Sequence, residues 1–209
     1  YMIRGDRRFV WPHDVIIKDK YAYFTDHFSY ALGRLDRKTG ETTVIGPPIP
    51  QNTSGPEIDA CGNVYVLGFD VPPLGYIHGD RHLYQVNKYT GETTDKGYTG
   101  DDHEWMDMAF DSQGQLWGTY GNKLYLIDTQ MGAATFVTNI YGVPDADPPR
   151  LMEVMSIGFD DHDILYGMGL TVHYDDPRGG PVMRINTETG VATLLGYSNT
   201  TYAGHGGDT

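Results

Sequence analysis

The chain has 209 residues, with 28 acidic against 15 basic side chains and a net charge of −13 when the histidines are neutral. That length suits a domain with a core of its own. Phosphate binding needs clustered Lys and Arg, which this sequence lacks, so nucleic acid is excluded as a partner. The acidic balance also disfavours an anionic membrane surface, and no apolar run approaches the roughly 20 residues of a spanning helix. The 16 Tyr, 7 Phe and 3 Trp supply large rings for a core, while 27 Gly and 12 Pro announce many turns.

In chain order, Tyr1-Met-Ile-Arg-Gly-Asp-Arg-Arg-Phe-Val10 reads as a hairpin with a shortened turn, comparable to Tyr125-Leu-Ile with Phe136-Val137. Its Arg4-Gly5-Asp6 triplet is read as that turn. No basic segment followed by an apolar one precedes it, so a leader is expected to have been removed or never present. Beyond it, two elements recur. The first is an apolar strand, a polar turn and a second strand that resumes with an aromatic: Asp14–Phe24, Ile58–Val66, Met108–Gly118 and Ile157–Gly167. The first strand ends in Asp59, Asp111 and Asp160 in three copies and in Lys18 in the other.

The second element is a hairpin. It reads Leu32-Gly-Arg-Leu-Asp-Arg-Lys-Thr-Gly-Glu-Thr-Thr43, Leu83-Tyr-Gln-Val-Asn-Lys-Tyr-Thr-Gly-Glu-Thr-Thr94, Leu124-Tyr-Leu-Ile-Asp-Thr-Gln-Met-Gly-Ala-Ala-Thr135 and Val182-Met-Arg-Ile-Asn-Thr-Glu-Thr-Gly-Val-Ala-Thr193. The turn glycines Gly40, Gly91, Gly132 and Gly190 are spaced by 51, 41 and 58 residues. Asp or Asn bonds its own backbone at the turn entry, and Gly takes the positive-φ position. Two hairpins per unit make a four-stranded antiparallel sheet of propeller-blade size. No window has a sustained 3.6-residue period, so helix is expected to be scarce.

The fold class is therefore all-β, a β-propeller of four-stranded antiparallel blades at about 11–50, 51–100, 101–142 and 150–198. Tyr202–Thr209 reads as the start of another inner strand. Residues 1–10 and 199–209 then contribute to a terminal blade, giving four or five blades in a small closed ring or part of a larger propeller. Trp11-Pro-His-Asp-Val, Leu32–Glu41 and Gly55-Pro-Glu-Ile-Asp-Ala-Cys-Gly-Asn-Val-Tyr65 carry a family resemblance. Over roughly residues 11–198 the chain resembles the streptogramin B lyase-like propellers, and related repeats occur in gluconolactonase-like and PQQ-like propellers. The resemblance implies the fold. For the lyases it also implies seven blades and a metal-assisted His and Glu site at one channel mouth, whose catalytic blades have no residue-by-residue match here.

Polar residues just before the inner strands are the first place to look for chemistry, because loops converge at that mouth. They are His13, Asp14, Glu57, His103, Glu104, Asp107, Glu153, His205 and Asp208. Glu57, Glu104, Asp107 and Glu153 are candidate ligands of a divalent cation, Ca or Mg, with His13 or His205 as a general base in a lyase or lactonase. The acidic runs Asp101–His103 and Asp160–Asp163 lack the spacing of an EF-hand loop, and the second is read as a turn. Insertions at Phe69–Arg81 and Thr171–Gly180 bring Tyr76, His78, His82, His173 and Tyr174, a ligand-binding set suited to sugars or ring ligands. Cys61 stands alone, which excludes an internal disulfide or a Cys-rich zinc site, and it is expected half-buried. Asn52 and Asn199 head glycosylation sequons. The expectation is a secreted or cell-surface module, periplasmic if bacterial, that binds carbohydrate or protein. A metal-assisted enzyme and a self-associating assembly subunit are the alternatives.

Overall fold

The computed structural model describes residues 12–18, 20–26, 31–49, 56–68, 81–100, 105–142, 153–169 and 179–198. Among the described residues, sixteen strands form four sheets of four, all antiparallel, with each sheet made from consecutive strands. The first sheet holds β1 (Pro12–Lys18), β2 (Tyr21–Asp26), β3 (Ala31–Asp36) and β4 (Thr42–Ile45). The second holds β5 (Glu57–Ile58), β6 (Val64–Gly68), β7 (His82–Val86) and β8 (Thr93–Tyr98). The third holds β9 (Asp107–Phe110), β10 (Leu116–Tyr120), β11 (Lys123–Ile127) and β12 (Ala134–Asn139). The fourth holds β13 (Val154–Phe159), β14 (Leu165–Gly169), β15 (Pro181–Ile185) and β16 (Ala192–Tyr197). Among the described residues there is no helix. The first strands of successive sheets lie beside one another, β1 by β5, β5 by β9 and β9 by β13, so the sheets are the blades of a β-propeller.

The repeated hairpin has the expected chemistry in all four copies. Oδ1 of Asp36, Asn87, Asp128 and Asn186 accepts the N–H groups two and three residues on, at 2.7–3.2 Å. Gly40, Gly91, Gly132 and Gly190 close the turns at φ of 73–74°. Three of these glycines have a second duty. A Cβ on Gly91 would lie 2.5 Å from the Ile45 carbonyl oxygen of blade 1, and one on Gly132 or Gly190 would strike the Gly97 or Asn139 carbonyl of the preceding blade. Around Gly40 there is open space.

The strand-end aspartates also tie turn to sheet. Asp111 Oδ1 accepts from the Gln113 and Gln115 N–H groups, and its Oδ2 accepts from Trp117 Nε1 at 2.9 Å. Asp160 takes the His162 and Ile164 N–H groups and the Tyr166 hydroxyl in the same manner. Asp59 does so with Asn63, whose side-chain amide takes the other oxygen at 2.7 Å. Cys61 lies exposed in that turn, a correction to the half-buried expectation, since Asp59 folds the turn outward from the core.

Apolar side chains are buried between blades. Tyr23, Leu32 and Ile45 of blade 1 pack on Val64, Val66, Tyr84 and Val86 of blade 2. Tyr65, Leu67 and Leu83 of blade 2 meet Met108, Leu116, Tyr125 and Ile127 of blade 3. Ala109, Trp117 and Leu124 of blade 3 meet Val154, Ile157, Leu165, Met183 and Ile185 of blade 4. Leu32, Leu83 and Leu124 occupy one repeat position, and each is 0% exposed. Burying a Leu of this kind stabilises by about 1.5–3 kcal/mol relative to leaving it in water.

The double duty of the turn glycines gives a contrast. Gly132→Ala is expected to cost roughly 3 kcal/mol, combining positive φ with a clash against the neighbouring blade, and Gly40→Ala about 1 kcal/mol from φ alone. Urea denaturation of the two variants measures this, and equal losses would contradict it.

Candidate functional site

Because the strands alternate in direction, the start of the first strand, the end of the second, the start of the third and the end of the fourth share one end of every blade. Both insertions join second to third strands there, between Gly68 and His82 and between Gly169 and Pro181. In blade 3 the same corner is only Gly121 and Asn122, and a short turn suffices. The scaffold therefore tolerates long segments at this corner, on the face where the inner strands begin.

His82 is the one residue of the expected ligand set that lies within the described residues. Its Nδ1 is 2.9 Å from both carboxylate oxygens of Asp95 across the β7–β8 ladder. Its ring stacks on Tyr84 at 6.1 Å between centroids and tilts against Tyr98 at 5.9 Å. The imidazole side chain keeps 26% of its surface in solvent. Asp95 also takes the Gly97 N–H at 2.8 Å, which fixes the carboxylate that orients the ring. One interblade step on, a cavity of about 400 Å³ is lined by Thr99, Gly100, Lys123, Tyr125, Ala134, Phe136 and Asn139. Phe136 is half exposed there, and its ring meets Tyr125 edge-on at 5.7 Å. Sequence reading missed this cavity, because two blades build it and neither repeat shows it alone.

Among the expected cation ligands, Asp107 is buried and its Oδ2 accepts the Ile157 N–H at 2.7 Å. The carboxylate thus joins inner strands β9 and β13. Glu57, at the start of β5, accepts the Ile58 N–H at 2.9 Å through Oε2. Glu153 is exposed just before β13. Among the described residues these three do not converge as a group of metal-ligand atoms, and the group that does is Asp160, Asp161 and His162, within 4.8 Å of one another. There both Asp160 oxygens are already engaged by the turn and Tyr166. His13 and Asp14 lie on β1, where the backbone alone is described. His205, Asp208, His103, Glu104, Tyr76, His78, His173, Tyr174, Asn52 and Asn199 fall outside the described residues.

The turn carboxylates are held below the usual carboxylate range. For Asp160 the Ile164 N–H is the main cause, and for Asp163 the Ser112 hydroxyl and N–H across the blade boundary. Burial pushes the Tyr65 phenol up, and the neighbouring Asp59 charge adds to it.

No family model matches the chain, and no curated protein matches it. Solved structures do. A catalytically inactive virginiamycin B lyase from Staphylococcus aureus with quinupristin is 16% identical at a TM-score of 0.56, covering 91% of this chain and 57% of that one. A streptogramin B lyase is 15% identical at 0.52, covering 88% and 53%. A chain of a nidogen/laminin complex is 12% identical at 0.60, covering 87% and 61%. The chain thus spans a little over half the length of these matches, and at such identities the likeness shows the propeller fold alone.

Two expectations follow. Asp107→Ala leaves the buried Ile157 N–H without its partner and is expected to cost about 1–3 kcal/mol, whereas exposed Glu153→Gln costs under about 0.5 kcal/mol. Chemical denaturation distinguishes the two. The depressed Asp160 carboxyl contributes stability that is present above about pH 3.8 and is lost as pH falls through its folded value. Asp160→Asn should therefore be less stable than the parent at pH 7, with the gap closing below pH 3.8 in thermal melts. A gap that persists at lower pH would contradict that assignment.

Proposed function

We propose that this chain is an extracellular β-propeller binding module whose ligand surface is the face where the inner strands begin, and that its ligand is a carbohydrate. One observation carries the reading: the partly exposed rings of His82 and Tyr98 stand beside the fixed Asp95 carboxylate on that face, with the buried Tyr84 ring stacked beneath His82. Sugars present apolar C–H faces and hydroxyl rims, so a ring platform with an adjacent carboxylate suits them. The cavity at Phe136, with Lys123 and Asn139 on its wall, offers the same combination a second time. The insertions that carry Tyr76, His78, His173 and Tyr174 in the sequence leave the blades from this face, after Gly68 and Gly169. Long irregular segments on regular scaffolds often serve recognition.

The similar structures support the extracellular setting, since they include the nidogen/laminin complex and an extracellular domain from B. thetaiotaomicron that is 10% identical at a TM-score of 0.55. Protein is the second ligand class on the same surface. The enzyme reading is a metal-assisted reaction at the channel mouth, with His13 or His205 as base and Glu57, Glu104 and Glu153 as candidate ligands of a Ca or Mg ion, and it is disfavoured because Glu57 and Glu153 do not come together as ligands among the described residues. Asp107 is the weak member of that set, because its carboxylate already holds the Ile157 N–H.

A glycan array on the purified chain tests the primary reading. Binding is expected, and His82→Ala and Phe136→Ala should each weaken it about tenfold or more while the fold is retained. Absence of binding across diverse sugars would retire the carbohydrate reading. Stoichiometric divalent metal, lost on Glu104→Gln with Glu153→Gln, would replace it with the enzyme.

A further inference from the structure

Blades 2, 3 and 4 share an irregularity that blade 1 lacks. Between their third and fourth strands the ladder slips by one residue at the same point, passing over Lys96, Val137 and Leu195. In blade 1 the pairs run in step from Leu32 with Ile45 to Leu35 with Thr42. A bulge of this kind re-aims the side chains on either side of it and is frequent beside functional sites. The paired positions that flank it are His82, Tyr84, Asp95 and Tyr98 in blade 2, and Lys123, Tyr125, Phe136 and Asn139 in blade 3. The ring cluster at His82 and the cavity at Phe136 therefore occupy one repeat position. In blade 4 that position holds Pro181, Met183, Leu194 and Tyr197, with no charged group.

The two copies carry opposite charge. In blade 2 the charged group is the Asp95 carboxylate, held against His82 Nδ1. In blade 3 Lys123 stands in the place of His82 and Phe136 in that of Asp95, and the described lining of the cavity holds no carboxylate. Lys123 is the single Lys or Arg between Lys96 and Arg150, in an otherwise acidic stretch. Its ammonium lies 5.8 Å from the Tyr120 ring centroid, a contact that positions the charge without neutralising it. Trp105 and Phe136 both meet the Tyr125 ring edge-on, at 5.0 and 5.7 Å, which fixes the aromatic wall. Asn139, exposed, stands across the ladder from Lys123.

We infer that the blade 3 cavity takes a sugar bearing a carboxylate, a uronic acid residue. The carboxylate pairs with Lys123, the C–H face of the ring lies on Phe136, and Asn139 serves the hydroxyls. The inference rests on the carbohydrate reading above and narrows it. The cavity volume of about 400 Å³ falls within the roughly 300–1,000 Å³ of small-ligand sites. Filling it strips water from the Lys123 ammonium. A neutral sugar leaves that charge without a counter-charge, whereas a carboxylate compensates it through a charge-assisted bond. The Asp95 carboxylate repels the same ligand at the blade 2 position, so the preference for acid resides in blade 3.

Galacturonic acid trisaccharide and its methyl ester, titrated calorimetrically into the purified chain, test this. The free acid is expected to bind at least about tenfold more tightly than the ester. Lys123→Gln should abolish that preference while ester binding and the urea midpoint stay near those of the parent. Lys123→Arg, which keeps the charge, should keep the preference, and Lys123→Met replaces the Gln variant if that chain does not fold. Sodium acetate at the concentration of the sugar should not displace it, because acetate offers no face to Phe136. An ester that binds as tightly as the acid would overturn the inference and leave the carbohydrate reading standing. Binding by no sugar at all would remove both. A preference that survives Lys123→Gln would put the acid elsewhere, and displacement by acetate would reduce the cavity to an anion site; either result overturns the inference.

Discussion

A four-stranded antiparallel sheet has two faces and cannot shield both from water by itself, and most of this molecule follows from that constraint. The interior is divided among the boundaries between blades, each filled from both sides. Backbone joins the side chains there, with the Ala134 N–H donating to the Thr99 carbonyl, the Tyr141 N–H donating to the Gly190 carbonyl and the Tyr141 carbonyl accepting from the Ala192 N–H. Asp107 adds a buried carboxylate to the Ile157 N–H across the third boundary. Ser112 and Asp163 join the same two blades near the surface. Apolar burial supplies the drive, and these polar links fix the register in which one blade meets the next.

The architecture was legible because the repeat writes it in local chemistry. Asp or Asn followed four residues later by Gly specifies a turn whose bonds lie within five residues, and all four copies obey it. What lies between blades was not legible. The turn glycines satisfied the sequence reading by their positive φ, while the backbone pressed against Gly132 and Gly190 comes from a different blade and leaves no local mark. Asp107 looked like a mouth ligand for the same reason. Its partner lies 50 residues away and is a main-chain N–H, which has no residue signature. Cys61 was misjudged because small apolar residues are usually buried, and here an Asx turn carries it outward.

The candidate site follows the same division. Cross-strand partners such as His82 and Asp95 come from one blade, and the insertion next to His82 drew attention to it. The cavity at Phe136 needs Thr99 and Gly100 from the preceding blade, so it emerges only once blades stack. A scaffold that spends its repeated residues on turns and interfaces leaves function to departures from the repeat. Those departures are the insertions and the aromatics beside them.

The central claim is that neighbouring blades stabilise each other directly, and the Trp117–Phe159 contact across the third boundary tests it most simply. The two rings stand 6.1 Å apart on consecutive blades. A double-mutant cycle with Trp117→Ala and Phe159→Ala, read by denaturant unfolding, should return a coupling of about 0.5–1.5 kcal/mol and a single unfolding transition. Losses that add within about 0.3 kcal/mol, or two transitions in place of one, would mean that the blades stand independently and would contradict the account.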